Sequence, residues 1–132
     1  MDHIASTTDA TDGQARMAGR VAIVTGAGSG IGRAAALRFA MEGASVVLAG
    51  RRRAELDETA ALIVDQAGVA FVVATDVSVE AEVASLVAKT IARFGRLDAT
   101  FNNAGIEGVF GPITALTEAD FDQVIRVNLK GA

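Results

Sequence analysis

The chain has 132 residues, of which 51% are hydrophobic and 21% charged, which suits one folded domain with a real core and excludes a disordered polypeptide. Its net charge of −4 gives no electrostatic basis for holding nucleic acid or an anionic membrane surface, and no apolar run approaches the roughly 18 residues that cross a bilayer. With no cysteine and a single histidine, His3, it offers no disulfide, no thiolate and no histidine-based metal site, and the lack of cysteine fits a reducing cytoplasm.

Residues 1–19 are polar, small and aperiodic, without the charged start and apolar middle of a signal peptide. They read as a flexible tail, with an arm over a bound ligand as the alternative. Residues 20–132 alternate between strand and helix patterns, with no internal repeat. Residues 21–24 are a short apolar strand. A glycine-dense turn follows, Thr25-Gly26-Ala27-Gly28-Ser29-Gly30-Ile31-Gly32, and residues 33–42 read as a helix with Ile31, Ala34, Ala35 and Phe39 inward and Gly43 after its end. Residues 45–49 form a second strand. The next helix carries Leu56, Ala60, Ile63, Val64 and Ala67 at helical spacing, with Gly68 closing it. Residues 69–74 are a third strand, and the helix after it places Val83, Leu86, Val87, Ile91 and Phe94 on one face before Gly95. Residues 97–101 are a fourth strand. After a loop through Pro112, Thr117-Glu118-Ala119-Asp120 reads as a capping box that opens a fourth helix. There Phe121, Val124, Ile125 and Asn128 fall at i, i+3, i+4 and i+7, which puts Asn128 on the buried stripe.

Strands that are apolar throughout, separated by amphipathic helices, predict a doubly wound α/β fold: a Rossmann-like parallel sheet covered on both faces. Ligands of such sheets sit at the carboxyl ends of the strands. Four groups of residues fall there. The glycine turn places bare N–H groups at a helix N-terminus, a ready anion site, and side chains at Gly26, Gly30 or Gly32 would block a pyrophosphate or the approach of helix to strand. Ser29 and Ile31 complete that turn. At the end of the second strand stands Gly50-Arg51-Arg52-Arg53. An acid about 20 residues past a glycine motif commonly holds a free ribose 2′-OH. Here that place is Gly50 and arginines follow, which suit a 2′-phosphate by charge and fork geometry. NADP(H) is therefore preferred to NAD(H), with Arg51 first and Arg52 second as phosphate ligands. The competing reading is a solvated charge run, although cations at a helix start oppose its dipole. The third strand ends in Thr75-Asp76-Val77-Ser78, where turn chemistry with Ser78 as N-cap is the plainer reading. The fourth ends in Asn102-Asn103-Ala104-Gly105, where Asn103 can hydrogen-bond across to the neighbouring strand end while Ala104 and Gly105 keep the backbone low.

The Thr-Gly-x-x-x-Gly-x-Gly turn, the Asn-Asn-Ala-Gly turn and Asn128, in this order and at these separations, resemble the amino-terminal half of the short-chain dehydrogenase/reductase family. The resemblance implies a strand order of 3-2-1-4 continued by later strands, and hydride transfer between a nicotinamide and a carbonyl or alcohol. It implies that Asp76 meets the adenine with Val77 beside it, and that Asn103, Ala104 and Gly105 brace the sheet and line the ribose side. It also implies that Asn128 belongs to an Asn-Ser-Tyr-Lys set and holds a water in a proton relay, and that subunits pair through their fourth and fifth helices, so a homo-oligomer is expected.

The chain departs from that pattern. It contains no tyrosine, its lysines are Lys89 and Lys130, and its serines all precede Asn128. The 132 residues read as a fragment, inactive alone, whose fourth strand is an exposed edge through which copies self-associate. A dinucleotide module without catalysis, and an interaction protein built on a decayed dehydrogenase, are the alternatives. The substrate is not legible: residues 106–110 form one loop that touches the site and do not identify a ligand.

Overall fold

The computed structural model describes residues 16–132. Its elements are β1 (Val21–Thr25), α1 (Gly30–Met41), β2 (Ser45–Gly50), α2 (Arg53–Asp65), β3 (Val69–Ala74), α3 (Glu80–Phe94), β4 (Ala99–Phe101) and α4 (Glu118–Val124), followed by a wider π-helical segment, Ile125–Lys130. All strand pairs are parallel, in the order β3-β2-β1-β4. β1 pairs Val21 with Ser45 on one side and Ala22 with Ala99 on the other.

The two faces of the sheet follow from the period of two along each strand. Val24, Val46 and Leu48 point to one face, where Ala36 of α1 and Leu56 and Ile63 of α2 cover them. Ile23, Val47, Ala49 and Val73 point to the other, where Leu86 of α3 covers them with Phe71, Phe94 and Leu97 packed alongside. Helices on both faces explain why β1 and β2 are apolar at almost every position. The Phe71 and Phe94 rings meet edge to face at 6.2 Å between centroids.

Several helix faces differ from the sequence reading, each for a geometric reason. α1 begins at Gly30, and its line of approach to the sheet runs through Gly32 and Ala36, so Ile31 is 73% exposed and Ala34 is also on the surface. In α2 the buried residues are Leu56, Thr59 and Ile63, and Val64 turns outward. In α3 Leu86 and Thr90 are buried, while Val87 and Ile91 flank that line and stay exposed. α2 closes with Ala67 rather than Gly68 in the left-handed conformation (φ 61°), as the Gly68 N–H donates to the Ile63 carbonyl at 2.9 Å. α3 is capped at Val79, not Ser78. The Thr117 capping box forms as read: the Asp120 N–H donates to the Thr117 hydroxyl at 3.2 Å and the Thr117 N–H donates to the Asp120 carboxylate at 2.9 Å. Beyond it the π-helical step, in which the Gly131 N–H reaches back to the Arg126 carbonyl at 2.9 Å, rotates the later residues. Val127 is therefore buried and Asn128 exposed instead of lying on the inner stripe, and Phe121, before the step, is exposed as well.

Residues 16–19, which the sequence places with the tail, form a turn, and Met17 packs on the α1–α2 side of the core with its N–H donating to the Glu42 carbonyl at 2.9 Å. The calls on residues 1–15 lie outside the described residues. No described helix is long and apolar enough to cross a membrane.

Candidate functional site

The carboxyl ends of all four strands open into one cavity of about 560 Å³. The turn between β1 and α1 forms its floor. Ser29 has an extended backbone and caps α1 without any side-chain hydrogen bond, so its hydroxyl is not consumed by the helix. The Arg33 N–H is the first to donate within α1, to the Ser29 carbonyl at 3.1 Å, which leaves the amides just before it without intrahelical partners at the cavity. That end of the helix favours negative charge by its dipole and its bare donors together.

The glycines of the turn do different jobs. Gly30 lines the cavity at φ 53°, with nothing within 4 Å of a Cβ built there. Gly32 does not line it. A Cβ on Gly32 would lie 1.9 Å from the Gly26 carbonyl oxygen and 2.7 Å from Asn103 Nδ2, so this residue lets α1 sit directly on the turn.

The turn is held from below by α2. Thr59, fully buried, donates to the Ala27 carbonyl at 2.8 Å. The Arg33 guanidinium reaches the Gly28 carbonyl at 2.6 Å, the Thr59 hydroxyl at 2.9 Å and the Glu58 carboxylate at 3.1 Å. These bonds occupy carbonyls and so leave the N–H side of the turn to face the cavity. Neither Arg33 nor Thr59 was singled out from sequence, because their partners lie up to 32 residues away.

Asn103 and Ala104 join the ends of β1 and β4. Asn103 Nδ2 donates to the Thr25 carbonyl at 3.2 Å, the cross-strand bond expected of it, and the Ala104 N–H donates to the Thr25 hydroxyl at 3.0 Å. Both residues line the cavity, as do Gly105, Gly26, Ile31 and Val77. Asp76 lines it too, and its carboxylate accepts from the Ser78 N–H at 2.9 Å and hydroxyl at 2.6 Å. Those bonds, with the field of Arg51 as a smaller contribution, hold its carboxyl below the usual range.

Arg51 and Arg52 both line the cavity and are not equivalent. Arg52 pairs with Glu55 at 3.1 Å, whereas Arg51 makes no ion pair among the described residues. Arg53 lies outside the lining and pairs with Asp57 at 3.6 Å. These acids in the first turns of α2 offset the cost of cations at its start. Glu55 is a cavity residue the sequence reading missed, although an acid four places after Arg51 on a helix start was a usable signal.

Asn128 does not line the cavity. Its side chain clamps one residue of the loop after β4: the Ile106 N–H donates to Asn128 Oδ1 at 2.8 Å, and Asn128 Nδ2 donates to the Ile106 carbonyl at 2.8 Å. Among the described residues no cluster of histidine and acidic side chains could hold a metal ion.

A family model described as short chain dehydrogenase matches residues 20–132. The chain belongs to this family. Levodione reductase of Leifsonia aquatica is 46% identical over 118 residues, which are 88% of this chain and 44% of that protein. Among solved structures, a metagenomic short-chain oxidoreductase in complex with NADP matches with TM-score 0.83 and 38% identity over 87% of this chain and 52% of its own. An NAD+-bound xylitol dehydrogenase matches with TM-score 0.84 and 36% identity over 88% of this chain and 45% of its own. The chain thus spans about half the length of the relatives it matches. Short-chain dehydrogenases bind NAD(P), and the residues here fit such a group: amides without intrahelical partners at a helix start, a floor with glycine at positions 26, 28 and 30, and a cation beside the end of β2.

Proposed function

We propose that this chain is the cofactor-binding part of an NADP(H)-preferring oxidoreductase acting on a small-molecule carbonyl or alcohol. One observation carries the reading: the glycine turn, the arginines after β2, Asp76 and the Asn103 turn surround a single cavity. When bound, the nicotinamide would give a hydride to a carbonyl or take one from an alcohol. The chain's own residues bind and orient the dinucleotide. The amides before Arg33 receive the pyrophosphate, Arg51 receives the 2′-phosphate, Asp76 and Val77 border the adenine, and Asn103, Ala104 and Gly105 line the ribose side. Asn128 keeps one Nδ2–H and one Oδ1 lone pair after clamping Ile106, enough to hold the single water of a proton relay.

The 132 residues hold no tyrosine to act as the acid or base, so binding without turnover is the outcome expected of them. This also supports a second reading, a dinucleotide-binding module with no catalysis. A cytoplasmic homo-oligomer fits both, with the free edge of β4 as the pairing surface of the isolated chain; a clean monomer in gel filtration at micromolar concentration would remove that part. The test of the main reading is calorimetric titration with NADPH and NADH. NADPH binds more tightly, and Arg51→Gln removes about tenfold of that preference, the low end for a hydrogen bond to a charged group because this guanidinium is exposed. Equal affinities unaffected by Arg51→Gln would refute NADP(H) preference. No binding of either nucleotide by the folded chain would refute both readings.

A further inference from the structure

The cavity wall around the arginines contains a group that works against a 2′-phosphate. Glu55 sits in the first turn of α2, its Cβ 3.0 Å from the place a Gly28 Cβ would occupy and its Oε2 3.4 Å from the same point. The carboxylate therefore stands against the glycine turn at Gly28. Its other oxygen, Oε1, holds Arg52 Nη1 at 3.1 Å. The side chain of Glu55 is 34% exposed and that of Arg52 is 74% exposed, so the acid is the more buried partner of the pair.

The charged groups that line this space are Arg51, Arg52, Glu55, Asp76 and Glu107. Asp76 is committed to Ser78. Glu107 belongs to the loop after β4 and makes no ion pair among the described residues. Glu55 is left as the one carboxylate tied directly to a candidate phosphate ligand. An incoming dianion has to draw Arg52 away from it and then bear its charge nearby. A nucleotide ending in a free 2′-OH meets neither cost, because a carboxylate accepts a hydrogen bond from a hydroxyl.

We infer that Glu55 is a specificity-determining residue that limits how strongly this site prefers a 2′-phosphorylated adenine nucleotide, by holding Arg52 in an ion pair beside the glycine turn. The inference rests on the nucleotide reading of the cavity but not on which nucleotide the wild type prefers. It separates the two arginines. Arg51 discriminates in the wild type, and Arg52 contributes once Glu55 is neutral.

The test is calorimetry on the 132-residue chain with two small probes, adenosine 2′,5′-bisphosphate and adenosine 5′-monophosphate, at low ionic strength. The readout is the ratio of their affinities. Glu55→Gln, which keeps the side chain's shape, raises the ratio in favour of the bisphosphate by roughly three- to fivefold, the scale of a partly exposed ion pair. Asp57→Asn removes the same charge from the same helix at a residue paired with Arg53 outside the cavity, and changes the ratio by less than about twofold. Arg52→Gln alone lowers the ratio, because it leaves the Glu55 carboxylate uncompensated beside the phosphate. Three results overturn the inference: an unchanged ratio in Glu55→Gln, an equal rise in Asp57→Asn, or a ratio that does not fall in Arg52→Gln. A wild type that favours the monophosphate, with Glu55→Gln still raising the ratio, overturns NADP(H) preference and keeps the role of Glu55. Failure of both probes to bind a folded chain overturns both.

Discussion

Gly32→Ala tests how the nucleotide floor is built. The added Cβ would lie 1.9 Å from the Gly26 oxygen, 2.6 Å from the Gly26 carbonyl carbon and 2.7 Å from Asn103 Nδ2. Ordinary contact begins near 3.4 Å, so α1 and the turn must separate by about 1.5 Å. The two nearest atoms are backbone and cannot rotate away, which puts the cost at the upper end of overpacking, about 3 kcal/mol. The better helix propensity of alanine returns about 1 kcal/mol. The net loss of about 2 kcal/mol lowers the melting temperature by roughly 5–12 °C for a domain of this size. Nucleotide binding weakens with it, since the amides that would receive the anion move. Gly30→Ala is the contrasting variant. Nothing lies within 4 Å of its Cβ, so it bears only the left-handed φ of 53°, a cost of about 1–2 kcal/mol. Thermal melts by far-UV circular dichroism compare the two, with NADPH titration on each. A Gly32→Ala protein that melts within about 2 °C of wild type, or melts above Gly30→Ala, would refute the close-approach argument.

Three further outcomes follow from other contacts. The Asp98 carboxyl is held down to about 2, first by its pair with Arg96 and then by the Val21 N–H at 2.8 Å. The unfolded chain takes up that proton first as pH falls below the ordinary 3.8, so this stability is full above that value and is lost on the way down to about 2; Asp98→Asn flattens the acid limb of the stability curve there, and superimposable curves would contradict it. Asn128→Ala releases both bonds to Ile106, and hydrogen exchange at the Ile106 amide speeds up by roughly tenfold, against no change if the loop is held by something else. Ala67→Gly relieves the left-handed residue at the end of α2 and raises stability by roughly 0.5–1 kcal/mol in urea unfolding, whereas a loss would mean that Ala67 is not strained.

The order and type of the elements were legible because each strand is a short apolar run and each helix ends at a glycine or begins at a recognisable cap. The capping box at Thr117 needed only local chemistry, and it stands as read. What failed was the assignment of inner faces. The α1 stripe was read from large residues, yet the tightest contact is made by Gly32 and Ala36, where small size is the requirement. Thr59 and Thr90 are fully buried because each hydroxyl donates to a carbonyl, Ala27 for the first and Leu86 for the second, which hydrophobic patterning does not register. The face of Asn128 was misplaced because a π-helical step adds a residue to the turn, and a period of 3.6 carries no warning of it.

The site was legible where one residue type has one physical use at a strand end. Asn103 reaches Thr25 across the sheet as its chemistry suggests, and eleven of the residues read as cofactor ligands share the cavity wall with it or include it. The site was opaque where its character depends on pairs distant in sequence. Three consecutive arginines look alike in a sequence, but α2 gives acids to two of them, and Arg51 has no ion pair among the described residues. Whether a guanidinium is available to a phosphate is decided by that difference, not by its position in the run. The same holds for the glycine turn. Its carbonyls are taken from behind, that of Gly28 by Arg33 of the helix the turn opens and that of Ala27 by Thr59 of a helix that begins more than twenty residues later, which leaves its amides for the cavity. A glycine pattern states that a close approach is sterically allowed; the hydrogen bonds on its far side decide which way the turn presents its donors.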